Sequence, residues 1–195
     1  MTTVRRLATS LAVRLALALA LALSVTACTS SDERPRQRVT QLPEPGDAVS
    51  EDLMIALAQA KNFHHKAKVY LSDGKIADAI ASVRQILAIS FPDDAPEGED
   101  VRLDARALLA KLLVDQGKVD EAMTVVEEGI TGARRHSFFL ANLWTVKGEV
   151  YEAQAALLEA NPTAAADAKR NAIRAYDESI KINTELQKRL LQERN

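Results

Sequence analysis

A six-residue phrase occurs twice in the chain, as Gly74-Lys75-Ile76-Ala77-Asp78-Ala79 and as Gly117-Lys118-Val119-Asp120-Glu121-Ala122. Each copy follows an apolar stretch at helical spacing: Ala67, Tyr70 and Leu71 before the first, Ala110, Leu113 and Val114 before the second. Each also precedes another such stretch, with Val83 and Val126 four residues beyond the shared alanine. A helix, a glycine turn and a second helix, used more than once, mark a helical-hairpin repeat, whose units bury their apolar faces only by stacking on one another. The composition agrees, because alanine and unbranched side chains lose least on entering a helix and this chain has only 4% aromatic residues and 7 glycines. The expected fold class is all-α.

The first 27 residues stand apart. Arg5, Arg6 and Arg14 make a basic head, Leu15 to Leu23 an alternating Leu/Ala run, and Ser24-Val25-Thr26-Ala27 a small-residue tail before Cys28, the only cysteine. That order describes a secretory signal peptide. The apolar run falls short of the roughly 20 residues that cross a bilayer, and burying Arg14 there would cost about 2.5–3.5 kcal/mol. Val25-Thr26-Ala27-Cys28 resembles a bacterial lipobox, which implies that Cys28 becomes the lipid-modified first residue. The alternatives are a plain secreted protein with an incidental cysteine, or a signal anchor. In the enteric lipoproteins it resembles, a residue other than Asp after the cysteine, here Thr29, implies sorting to the outer membrane. More than one lipid tail makes such anchoring stable. With a single cysteine there is no disulfide framework.

The chain carries 27 acidic against 25 basic side chains, a net charge of -2, and nothing in that balance suggests nucleic acid. From Cys28 to Ser50, Pro35, Pro43, Pro45 and Gly46 break any helix and no apolar period survives. This reads as a flexible tether, about 70 Å when fully stretched. Its Arg34, Arg36 and Arg38 either keep it soluble or graze lipid phosphates.

Residues 51–195 hold the repeats. Ser50 is a natural helix cap with Glu51 and Asp52 behind it. Leu53, Leu57, Ala60, His64, Ala67 and Leu71 then recur at helical spacing, and a second helix through Ile76, Ile80, Val83 and Ile86 stops near Phe91-Pro92. Here the chain resembles the tetratricopeptide repeat family. Ala67, Tyr70, Gly74, Ala79 and Val83 stand at its positions in the first hairpin, and Ala110, Leu113, Gly117, Ala122 and Val126 in the second. Trp144-x-x-Lys147-Gly148-x-x-Tyr151 opens a third, closed by Ala172-x-x-x-Tyr176. Leu113 replaces an aromatic and Lys147 a leucine. The resemblance implies a right-handed α-solenoid of about three hairpins, near 60–92, 103–135 and 140–184, followed by a capping helix end.

Two departures from the family's spacing stand out. Asp93 to Asp100 reads as an inserted, solvated acidic loop, with Val101 starting the next helix. In the third copy Asn161-Pro162 replaces the turn glycine, cap and first helical residue respectively. Both arms of that hairpin are expected to be lengthened. Its small residues, among them Ala153, Ala156, Ala164, Ala165 and Ala168, either pack on each other or form a partner or self-association surface. Leu186, Leu190 and Leu191 continue the last helix into a charged outer cap.

No chemistry is expected. The Gly-Lys pairs lack the second glycine and the Ser or Thr of a phosphate loop. His64 and His65 point about 100° apart on a helix and do not converge on one metal. Arg134-Arg135-His136 reads as a solvated turn, or as a seat for an acidic segment. No catalytic set, cofactor or metal is expected, and no enzyme. The resemblance implies instead a lipid-anchored adaptor of the bacterial envelope, facing the periplasm, that binds a protein or peptide during assembly of pili, secretion or cell-wall machinery. Helical phase puts Lys61, His65, Lys68, Arg106, Lys111, Asn142, Lys147 and Glu149 on the concave, partner-binding side. The other reading is an accessory or solute-binding component of a transport system, and self-association through the hairpin at 140–184 is a further option.

Overall fold

The computed structural model describes residues 50–194; the expected signal peptide, Cys28 and most of the tether lie outside the described residues. Among the described residues the chain is all-helical, with no strand. Six helices follow in order: α1 (Glu51–Ser72), α2 (Ile76–Leu87), α3 (Pro96–Asp115), α4 (Val119–Gly132), α5 (Phe138–Leu157) and α6 (Pro162–Glu193). Each packs on the next in sequence, and the first helices of successive hairpins also touch, α1 on α3 and α3 on α5.

The repeated phrase closes the first two hairpins by the same geometry. Gly74 and Gly117 take φ of +72° and +74°, the left-handed region where a side chain is strained. In the first turn the Lys75 N–H donates to the Tyr70 carbonyl at 2.8 Å and the Gly74 N–H to Leu71 at 3.0 Å. In the second, the Lys118 N–H reaches Leu113 at 2.8 Å and the Gly117 N–H reaches Val114 at 2.8 Å. These crossed bonds satisfy the last carbonyls of α1 and α3, the pattern of a Schellman motif. The third hairpin turns differently. Asn161 caps α6, its side-chain oxygen accepting from the Ala164 N–H at 3.2 Å, and Pro162 takes the first helical position.

Small residues sit where paired helices approach. Ala67, Ala79, Ala110 and Ala122 are wholly buried, and Gly148 and Ala172 are buried in the third pair. A Cβ on Gly148 would lie 2.4–2.8 Å from the Tyr176 ring, closer than real contacts allow, so α6 lies against bare backbone there. Thr145 and Ser179 share a hydrogen bond of 2.9 Å in the same interface. The core between the layers is aliphatic, with Val83, Leu113, Val126, Leu143, Val146 and Val150 fully enclosed.

The structure corrects three expectations. First, α2 ends at Leu87, and the stretch to Phe91 leaves the helix while Phe91 stays buried beneath Gly98. Second, the stretch from Asp93 is not a solvated loop throughout: Pro96 opens α3, so Glu97 to Asp100 form its first turn, and Glu99 is buried. Third, both arms of the last hairpin are lengthened at its tip, but not by similar amounts. The arm of α5 runs six residues past Tyr151, against two past Tyr70 in α1. That of α6 begins ten residues before Ala172, against three before Ala79 in α2, the rest of its 32 residues being the expected continuation to the charged end. Near the tip Ala155, Ala165 and Ala168 are buried, while Ala156, Leu157 and Ala160 are exposed.

Two glycines give separable predictions. Gly148→Ala is expected to cost about 1–3 kcal/mol by overpacking, and Tyr176→Leu in the same chain to recover part of it. Gly74→Ala meets no atom within 4 Å, so its cost, about 1 kcal/mol or more, is conformational and no second-site change of a neighbour relieves it. Urea unfolding of the three variants measures both. Tyr176 also carries a pH prediction. Burial, then the charge and hydrogen bond of Glu152 and the charge of Glu149, push its phenol up to about 12 from 10.0. The folded state thus holds the proton more tightly than the unfolded one. That contribution is complete below pH 10 and is lost as pH rises through 12. Tyr176→Phe should remove this part of the alkaline destabilisation and the highest-pH step in tyrosinate absorbance.

Candidate functional site

An apolar hollow lies between α1 and α3. It has a volume of about 490 Å³, and Phe139 of α5 also lines it. Leu57, Ala60, Ile86, Ala105 and Leu108 make an apolar floor. Lys61, His64, His65 and Lys68 stand along the α1 wall, and Glu97, Asp100 and Asp104 along the α3 wall. Helical periodicity explains both walls. Residues three or four apart share a face, so 61-65-68 on α1 and 97-100-104 on α3 each form a stripe two turns long.

The α3 wall is held by the basic joint before α5. The Arg134 N–H donates to Glu99 Oε1 at 3.2 Å and its Nε to Oε2 at 3.1 Å, while Nη1 donates to the Asp93 carbonyl at 3.2 Å. Arg135 donates to Asp100 Oδ2 and to the Pro96 carbonyl at 3.1 Å. His136 meets Glu185 of α6 at 2.8 Å. The joint is thus occupied from within the chain and is not a free seat for an acidic segment. The other Asp100 oxygen, Oδ1, is buried with no hydrogen-bond partner. Lys61, Lys68, Glu97 and Asp104 make no ion pair among the described residues, and the two walls face each other without bridging.

The eight expected partner-binding residues do not form one surface. Lys61, His65 and Lys68 line the groove. Lys111 of α3 pairs with Glu149 of α5 at 3.1 Å, bridging the next interhelical furrow. Asn142 is half-buried on α5. Lys147 turns away from that side: it pairs with Glu127 of α4 at 3.2 Å, its ammonium lying 5.2 Å from the Trp144 ring and 5.9 Å from that of Tyr151. Arg106 lies across α3 from the groove. It shares a hollow of about 300 Å³ with Arg102, Glu128 and Arg134. Its Nε is buried without a partner, and burial lowers its pKa, with Glu128 opposing and neighbouring Arg102 adding to the shift. Gly129 makes room for it, since a Cβ there would lie 2.7 Å from Arg106 Cδ.

Sequence reasoning missed the acidic wall and His64. The signal for the wall was Pro96, a favoured first residue of a helix, which puts Glu97, Asp100, Asp104 and Leu108 on one face. Among the described residues no three of His, Cys, Asp or Glu gather as metal donors, and no helix is long and apolar enough to cross a membrane. Compared with known protein families, curated proteins and solved structures, the chain matches none.

Arg134 is the tie whose loss should be felt. Arg134→Ala leaves Glu99, only 9% exposed, with no charged partner, and should cost about 1–2 kcal/mol. Arg84→Ala, which breaks the exposed pair with Glu121, should change stability by less than about 1 kcal/mol. Denaturant midpoints of the two variants check the contrast.

Proposed function

We propose that this chain is a lipid-anchored adaptor of the tetratricopeptide type, an α-solenoid tethered through Cys28 to a bacterial envelope membrane, and that it holds a protein segment in the α1/α3 groove. The observation that carries the reading is the groove itself: an open hollow with an apolar floor and unpaired charges on both rims. Support for the architecture comes from the two glycine turns with identical hydrogen bonding, the buried small residues at each helix pair, and the packing of first helices on first helices. Nothing in such a task needs catalysis. Tethering raises the effective concentration of the groove near partners on the same membrane, so modest intrinsic affinity suffices. Assembly of pili, secretion pores or the cell wall is work of this kind.

A solute-binding role in transport draws on the same volume, which falls within the roughly 300–1,000 Å³ of small-molecule pockets. Against it, Lys61, His65, Lys68 and Glu97 on the rims are exposed, whereas a small ligand is normally enclosed over most of its surface.

The test is site-specific photocrosslinking in intact cells. A photoreactive residue at Leu108, within the groove, should trap a protein, and one at exposed Asp78 on α2 should not. Equal trapping at both positions, or none at Leu108, defeats the adaptor reading. Cys28→Ala should leave the leader uncleaved and reduce the Leu108 adduct; an unchanged adduct with normal leader processing would remove the lipid anchor from the proposal.

A further inference from the structure

The geometry points to one class of occupant for the groove: an amphipathic helix with an apolar stripe, an acidic edge and a basic edge. This inference rests on the adaptor reading and narrows it. Three directions of contact are required at once, because the floor is apolar, the α1 rim basic and the α3 rim acidic. An extended segment sends successive side chains to two opposite faces and cannot meet three. A helix, at 3.6 residues per turn, presents an apolar stripe flanked by two distinct edges.

The rims also set the length and the pattern. Lys61 to Lys68 and Glu97 to Asp104 each cover seven residue steps, about 10 Å of helix. Acids spaced three or four apart along two turns of the occupant would therefore meet Lys61, His65 and Lys68. Bases on its other edge would meet Glu97 and Asp104. The charges are available because they are not used internally. Among the described residues Lys61 and Lys68 make no ion pair, and α1 has no acid between Asp52 and Asp73 to neutralise them. A uniformly acidic segment would be repelled by the α3 rim, and a uniformly basic one by the α1 rim, so the opposed signs also exclude wrong partners.

Three fluorescent helical peptides with the same apolar stripe test this against the full chain in detergent. One carries acids on one edge and bases on the other, one is acidic on both edges, and one is basic on both. Fluorescence anisotropy should show the split-charge peptide binding at least tenfold more tightly than either of the others. Lys61→Glu/Lys68→Glu should weaken it tenfold or more and shift the preference to the basic peptide. Lys66→Glu, off the groove, should leave it within twofold. If the double variant fails to fold, Lys61→Gln/Lys68→Gln serves, with a smaller loss expected. Binding that ignores the charge pattern overturns the inference and leaves the adaptor reading standing, as does a Leu108 crosslink in cells with no peptide bound. Absence of both peptide binding and crosslink overturns the two together.

Discussion

Close approach of paired helices is the constraint on which this molecule depends. Helix axes come within about 8–10 Å only where the crossing carries little side chain. The chain meets that condition three times, with Ala67 and Ala79, Ala110 and Ala122, and Gly148 and Ala172. Where the partner is large, as Tyr176 is, the opposing residue has no side chain at all. Once each pair is close, valines and leucines on the same faces are sealed from water, and the apolar burial that stabilises the array follows. The glycine turns serve this arrangement by reversing the chain within three residues, so that the second helix starts already beside the first.

The electrostatics of α3 follow from the same packing. Its first turn is acidic, which suits the positive end of a helix, yet Glu99 lies on the side covered by the next hairpin. A buried carboxylate needs hydrogen bonds and a counter-charge. Arg134 supplies both, through its backbone N–H and its guanidinium. Arg135 meanwhile engages only one oxygen of Asp100. The joint between hairpins thereby holds Glu99 and, on the groove stripe, Asp100, while Glu97 and Asp104 beside it make no ion pair among the described residues.

Much of this was legible in the residues. The turns at Gly74 and Gly117, the cap at Ser50 and the break at Asn161-Pro162 are local signals with one structural meaning each. Lys61, His65 and Lys68 were legible as a face because α1 is buried on one side only. The second helical layer was harder. α3 is flanked by α1, α2, α4 and α5, and its buried residues run nearly all the way round, through Glu99, Leu103, Ala105, Ala107, Leu109 and Leu112. With no single apolar face, phase alone cannot say which polar residues look into the groove, and Arg106, expected beside Lys61, His65 and Lys68, lines a different hollow. The acidic wall was hidden for a different reason. Pro96 and Gly98 are both helix breakers in the interior, and only their position at the very start of α3 makes them compatible with it.

The cations of α1 are not explained by stability. A helix gains from positive charge in its last turn, but α1 has none there. Its Lys61, Lys66 and Lys68 lie in the middle, where the macrodipole offers little. Nor do they gain from neighbours of opposite sign at three or four residues, because Leu57, Asn62, Phe63, His64 and His65 fill the relevant positions toward the N-terminus. Some exposed charges elsewhere are matched, as in Lys111 with Glu149, Arg84 with Glu121 and Lys181 with Glu178. Lys61 and Lys68 on α1 and Glu97 and Asp104 on α3 make no ion pair among the described residues, and the proposed helix carrying both signs would supply partners to both at once.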